Sequence, residues 1–292
     1  MLRTLLIAGP TASGKSALAR RRAADGPSVI VNADSMQVYS ALRLLTARPT
    51  VEEEAEAPHR LFGHVPATER YSVGRWLDDV ATVLDEAAAS GRRPIVVGGT
   101  GLYFRALTEG IAPVPSIPPA VRATWEARAD EEGLAGLHRL LAERSPAEAM
   151  RVRPSDRTRL VRALEVIDAT GRTLPEWQAR KAPAPLLPAE ATERIVLDPP
   201  RAELHRRIDD RFARIAAEGG MEEARAFAAQ GLDPDLPAMK AIGLRPLMDL
   251  AASRATLAEA IARGQAETRQ YAKRQVTWLR HQMAEWARLM AG

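Results

Sequence analysis

Gly9-Pro10-Thr11-Ala12-Ser13-Gly14-Lys15-Ser16 follows directly on the apolar run Thr4-Leu5-Leu6-Ile7-Ala8 and passes into a helical pattern over 17–24. The octet matches G-x-x-x-x-G-K-[ST] in the context that gives this motif meaning, a strand before it and a helix after it. Glycines let backbone N–H groups converge on anionic oxygens, and the helix N-terminus adds partial positive charge. Lys15 brings a full charge to terminal oxygens, and the Ser16 hydroxyl is a candidate ligand for Mg²⁺. The loop therefore predicts a bound diphosphate or polyphosphate, a nucleotide such as ATP included.

Outward from this loop the chain reads as α/β. Residues 28–31 and 94–97 are short β-branched runs, and 193–197 offers one more strand. Strands alternating with helices predict a parallel sheet covered by helices, a P-loop core. Pro113, Pro115, Pro118 and Pro119 punctuate the pattern, as do Pro183, Pro185 and Pro188. Between the two clusters the sequence is helical with no strand-like run. The expected organisation is a first core segment 1–116, an all-helical insertion 117–188, and a second core segment 189–292 that is helical after its strand. Thr256 and Glu259 form a capping box at the head of the last long helix.

Composition narrows the chemistry. The 292 residues contain no cysteine, which removes disulfide scaffolds, thiolate metal sites and any Cys nucleophile. With 46% hydrophobic and 27% charged residues and no long apolar run, the chain reads as a soluble globular protein, expected in the cytoplasm with no membrane span. Only Lys15, Lys181, Lys240 and Lys273 are lysines, so 37 of the 41 basic residues are arginine. The net charge of +4 says little, but its placement says more: seven arginines face four acids over 151–180, and five bases face two acids over 265–292.

A hydrolytic P-loop enzyme needs an apolar strand ending in an acid that organises magnesium and water. The strand at 94–97 ends instead in Gly98-Gly99-Thr100-Gly101. That argues against a motor or switch and favours a transferase, with backbone amides and the Thr100 hydroxyl facing the crevice at the strand ends. Asp34 lies just past the second strand, where it can serve as a base, a magnesium ligand or a helix N-cap.

Taken together, the loop at 9–16, Asp34-Ser35 with Val38-Tyr39, Thr46-Ala47-Arg48-Pro49 and Gly98-Gly99-Thr100-Gly101-Leu102-Tyr103 resemble the tRNA dimethylallyltransferases, or tRNA isopentenyltransferases. Arg159 with Arg162-Ala163-Leu164-Glu165-Val166 extends the resemblance, as do Arg269-Gln270, Lys273-Arg274-Gln275 and Thr277-Trp278-Leu279-Arg280. It covers nearly the whole chain in order.

The resemblance implies transfer of a dimethylallyl group from its diphosphate to N6 of adenosine 37 in tRNAs reading U-initial codons, with Mg²⁺ as cofactor. It further implies a monomer. Residues 9–16 then hold the leaving diphosphate, and Asp34, Thr100 and Arg211 are the implied catalytic residues. Implied tRNA contacts in the core are Asp34, Ser35, Met36, Gln37 and Thr100. In the insertion they are Arg122, Thr158, Arg159, Leu160, Val161 and Arg162. Towards the end of the chain they are Lys240, Gly243 and Arg245, then Lys273, Arg274, Gln275, Thr277, Trp278 and Arg280. Arg269, Lys273 and Arg280 are expected on one helical face, whereas Trp125, Trp177 and Trp286 are expected to be packing residues.

This chain departs from the family pattern at Thr158, where glutamine is usual, at Leu244, where tyrosine is usual, and at Leu45, where glycine is usual. The lack of cysteine matches the shorter bacterial form without a zinc finger. On the residues alone a small-molecule kinase, a prenyltransferase acting on free AMP and a non-catalytic RNA-binding protein stay open. For any single arginine, a solvated surface role stays open as well.

Overall fold

The computed structural model describes residues 3–180 and 182–290, so the expected outer bounds 1 and 292 and Lys181 lie outside the described residues. Two compact units emerge: one built from residues 1–108 and 186–292, the other from 109–185. The proline clusters placed the insertion at 117–188.

The first unit is a parallel sheet of six strands: β1 Thr4–Ala8, β2 Ser28–Asn32, β3 His59–Arg60, β4 Arg93–Gly98, β5 Thr192–Leu197 and β6 Ala287–Leu289. Their order is β3-β2-β4-β1-β5-β6. β1 is central and wholly buried, which is why it reads as a continuous apolar run rather than an alternating one. Helices α1 Lys15–Ala23, α2 Val51–Glu56, α3 Val73–Ala89 and α4 Gly101–Glu109 complete its first half. One face of the sheet packs Leu5, Ile7, Ile30 and Ile95 against Leu18 and Ala19 of α1. The other packs Leu6, Val31 and Val96 against Trp76 and Val80 of α3 and Phe104 of α4. Each enclosed side chain of this size contributes about 1.5–3 kcal/mol by leaving water.

The second unit is helical, with α5 Pro119–Arg144, α6 Pro146–Ala149, α7 Arg157–Thr170 and α8 Leu174–Gln178. Its core joins Trp125, Leu137 and Leu141 of α5 to Leu160, Val161 and Leu164 of α7. The chain then returns to the first unit through β5 and α9 Arg201–Ile215, α10 Met221–Ala228, α11 Leu244–Ala251 and α12 Leu257–Gln282. The capping box at Thr256 and Glu259 forms as expected.

The expectation that the chain stays helical after 197 is corrected by β6. This edge strand is three exposed residues, too short to show a period, and it pairs with β5 through Leu197 and Leu289. Among the described residues no helix is long and apolar enough to cross a membrane.

Parallel register aligns the strand ends that matter. Ala8 pairs with Gly98, and Asn32 with Val97. The P-loop, the Asp34 turn and the 98–101 loop therefore leave the sheet side by side, at the carboxyl edge where open α/β sheets bind ligands.

Candidate active site

Two left-handed residues shape the P-loop: Ala12 at φ 62 and Gly14 at φ 88, the N-cap of α1. Alternation of hand turns successive N–H groups inward, and a non-glycine residue at positive φ is backbone strain of the kind concentrated at functional sites. Lys15 Nζ bends back to donate to the Pro10 carbonyl at 3.3 Å. Burial pushes its ammonium down to about 8, with Asp34 opposing that shift and Arg211 adding to it. Arg211, from α9, donates to the Thr11 hydroxyl. Burial lowers its guanidinium too, and Asp34 again acts in the opposite direction. The surface-pairing alternative for Arg211 is thereby replaced by contact with the P-loop.

Asp34 is fixed by a buried neighbour. Asn32 Oδ1 accepts the Asp34 N–H at 2.8 Å, and its Nδ2 donates to the Asp34 carbonyl at 2.9 Å. The Asn32 carbonyl in turn takes a 2.9 Å bond from Trp76 Nε1. Asp34 Oδ1 accepts the Met36 N–H at 3.0 Å. Residues 35–38 form a turn, so Asp34 closes an Asx-turn rather than capping a helix. Thr100 Oγ1 accepts the Ser35 N–H at 2.9 Å and lies 3.3 Å from Ser35 Oγ. Gly98 makes this closeness possible, since a Cβ there would sit 2.0 Å from the Ala33 carbonyl oxygen.

Gln275 ties two of these loops together. Its Oε1 accepts the Thr11 N–H at 2.9 Å, and its Nε2 donates to the Gly99 carbonyl at 2.9 Å. The side chain is buried. The implied tRNA contact at Gln275 is thus corrected: both amide atoms are engaged inside the protein. One turn on, Trp278 fills the space a Gly101 side chain would need, its ring 2.1 Å from that Cβ position. It is half-buried against the core.

Beside the cradle lies a cavity of about 60 Å³. Its lining includes the polar groups of Thr11, Asp34 and Arg211 and the side chains of Leu45, Ile208, Phe212 and Tyr271. Burial, with Asp34 nearby, raises the Tyr271 hydroxyl well above the usual phenol range, so it stays protonated. A much larger groove, about 630 Å³, runs along the outer side of α12 by Lys273, Arg274, Thr277 and Trp278. The chemistry-bearing residues gather at the smaller cavity. Its apolar walls share no single motif, because they come from separate helices and loops. The adjacency of Phe212 to Arg211 was the available signal.

The remaining sequence-predicted residues divide. Lys240, Arg245, Lys273, Arg274, Thr277 and Arg280 are exposed, and Arg269, one turn before Lys273, pairs with Asp209. Gly243 is buried at φ 80, and its N–H donates to Glu267 at 3.2 Å, a backbone role. Gln37 Nε2 donates to the Thr46 and Ala47 carbonyls, while Met36 lines the cavity.

In the helical unit Leu160 and Val161 are core residues, since α7 turns its apolar stripe inward; direct RNA contact is corrected for both. Thr158 and Arg159 are exposed there. Arg162 and Arg122 lie 2.7 and 3.7 Å from the fully buried Glu165 carboxylate. Trp125, Trp177 and Trp286 are buried as expected.

Magnesium requires oxygen ligands, usually few from protein and the rest from phosphate and water. No cluster of three His, Cys, Asp or Glu that could cage a metal exists among the described residues. The Ser16 hydroxyl stands on the exposed first turn of α1, with the Asp34 carboxylate the acid of this loop cluster. That sparse oxygen set fits an ion carried in mainly by a phosphate ligand.

A family model described as IPP transferase matches residues 37–282. The chain belongs to the IPP transferase family. The match begins after the P-loop and Asp34, so those residues are independent observations. Among its relatives, a tRNA dimethylallyltransferase of Chelativorans sp. (strain BNC1) is 55% identical over 96% of both chains. One from Mesorhizobium japonicum is 52% identical over 99% of this chain and 89% of its own. Of solved structures, a tRNA isopentenylpyrophosphate transferase from Bacillus halodurans is 31% identical, with a TM-score of 0.70 over 100% of this chain and 90% of that one. A eukaryotic dimethylallyltransferase acting on tRNA, 24% identical with a TM-score of 0.81, covers 100% of this chain and 74% of its own and shares the IPP transferase fold.

Proposed function

We propose that this chain transfers a dimethylallyl group from dimethylallyl diphosphate to N6 of adenosine 37 in tRNAs reading U-initial codons. The observation that carries the proposal is a phosphate cradle with two partly buried cations, Lys15 and Arg211, beside a small cavity whose lining joins the Asp34 carboxylate to the apolar side chains of Leu45, Ile208 and Phe212. A kinase needs the cradle but has no use for an apolar cavity there.

In the reaction the N6 lone pair attacks C1 of the allylic diphosphate and the C1–O bond breaks. Diphosphate leaves with the bonding pair, and the amine loses one proton. Asp34 accepts that proton, which offsets the weak nucleophilicity of an exocyclic amine delocalised into its ring. Charge grows on the leaving oxygens as the bond breaks, so Lys15, Arg211 and the loop N–H groups act most strongly in the transition state. Ser16 would hold the magnesium ion, which would supply further charge neutralisation to the diphosphate. Thr100 steadies the turn that carries Asp34. The adenine must leave its stack to reach this depth, and such unstacking costs a few kcal/mol. Exposed Lys273, Arg274 and Arg280 are suited to phosphodiester contacts, as is Arg159 in the helical unit.

The test is an acceptor panel: labelled dimethylallyl diphosphate and Mg²⁺ with unmodified tRNA, with the same tRNA carrying guanosine at position 37, and with AMP. Label on the first alone is expected. Label on AMP alone, or on none, would overturn the assignment.

A further inference from the structure

We propose that Leu45 and Phe212 set the length of the prenyl chain, restricting this enzyme to a single five-carbon unit. The inference rests on the transfer activity proposed above. A longer allylic diphosphate has the same diphosphate and the same reacting carbon, so the P-loop and Asp34 cannot tell it from the short one. Discrimination has to come from the far end of the cavity.

The cavity is small, and Leu45 and Phe212, two of its apolar walls, are held in place. Leu45 is buried, and its loop is clamped by Glu223 of α10, whose two carboxylate oxygens accept the Leu44 and Leu45 N–H groups at 2.9 Å each. The same loop is tied down by Gln37, which donates to the Thr46 and Ala47 carbonyls at 2.9 Å, and by Thr46 Oγ1, which donates to the Leu42 carbonyl at 2.7 Å. Phe212 is equally constrained. Its ring lies against two glycines: a Cβ on Gly264 would stand 1.9 Å from it, and one on Gly243 would stand 2.3 Å from it. The ring therefore occupies the space those side chains would take. Gly243 also links the two walls, because its Cβ position lies 3.3 Å from Leu45 Cδ1. A cavity of about 60 Å³ between a hydrogen-bonded loop on one side and a wedged ring on the other leaves little room for a second isoprene unit.

The test measures kcat/KM for dimethylallyl and geranyl diphosphates with tRNA as acceptor, in the wild type, Leu45→Ala and Phe212→Leu. The wild type is expected to favour the five-carbon substrate by about 100-fold or more, as for a pocket that must reject extra methylenes. Each variant is expected to lower that preference by about tenfold or more, chiefly by gaining geranyl transfer. Binding of inorganic diphosphate, which touches neither side chain, certifies that a variant is folded. A preference unchanged in a folded variant, or a wild type that uses both substrates equally, would overturn the inference. A wild type that transfers neither group to tRNA would instead overturn the function on which it rests.

Discussion

The P-loop and the helical unit both concentrate positive charge, and they hold it in opposite ways. Lys15 and Arg211 are partly buried, and among the described residues neither makes an ion pair; their polar contacts are a carbonyl and a hydroxyl. Arg122 and Arg162 of the helical unit are more than a third exposed, yet share the buried carboxylate of Glu165. Desolvated cations that make no ion pair, with the Asp34 charge only partly offsetting their burial, hold their protons less tightly and weaken the fold. Such a state makes sense where a ligand brings the missing charge. Paired arginines are already satisfied, so they stabilise their own unit and offer RNA only their exposed edges.

The contrast can be broken first at the cradle. Replacing Lys15 and Arg211 together by alanine should lower kcat/KM about 10³-fold or more, as expected for losing two groups aimed at developing charge. Thermal melting of that variant should be unchanged or improved. Glu165→Ala should behave the other way round. It leaves two arginines without their shared anion and should cost roughly 2 kcal/mol of stability, less than for a fully buried pair because the guanidiniums stay partly in water. Urea unfolding of the two variants, read beside their turnover, checks both halves.

Gln275→Leu comes next. Loss of both loop bonds should reduce kcat by about 10- to 100-fold, through misplacement of the cradle against the 98–101 loop, while tRNA affinity holds. Gln275→Glu keeps the bond from Thr11 N–H but not the one to Gly99, and should fall between. Loss of tRNA affinity instead would return Gln275 to the RNA interface.

A smaller effect follows from pH. Burial holds Lys15 near 8, below the usual lysine value of 10.5. Its charge is complete well below pH 8 and is lost as pH rises through that value. Binding of inorganic diphosphate to the free enzyme should weaken progressively above pH 8, whereas Lys15→Arg should flatten that limb. For stability the sign is reversed. Between about 8 and 10.5 the unfolded chain binds the extra proton, so Lys15 makes stability rise with pH there. The smallest effect belongs to exposed Lys273 and Arg280. Replacing both by alanine should reduce the salt slope of tRNA binding by about 2, one for each phosphate no longer neutralised.

Much of this could be read from the chain. The P-loop, the central strands and Asp34 were legible because each is a local pattern with its own physics: a glycine-bounded turn, an apolar run, an acid after a strand. The helical character of residues 120–180 was legible from period and proline punctuation. Gln275 was misplaced because sequence shows that it shares a helix with Lys273 and Arg280, but not which side of α12 meets the glycine loop. Leu160 and Val161 were drawn into an RNA site by their neighbours Arg159 and Arg162, although adjacent residues on a helix face different ways. The walls of the cavity left only faint marks, the departure at Leu45 and the adjacency of Phe212 to Arg211. Leu45, Ile208, Phe212 and Tyr271 become neighbours only through the packing of α9, α12 and a loop.

The central claim is a division of labour: the partly buried cations serve the leaving group, and Asp34 serves the acceptor. Asp34→Asn separates the two, because it removes the base and also removes negative charge from beside Lys15 and Arg211. Single-turnover transfer to tRNA should fall by about 10³-fold, while the same sample binds inorganic diphosphate in the absence of magnesium as tightly as the wild type or more tightly. A parallel loss of transfer and diphosphate affinity would contradict the account, and would make Asp34 a structural part of the cradle.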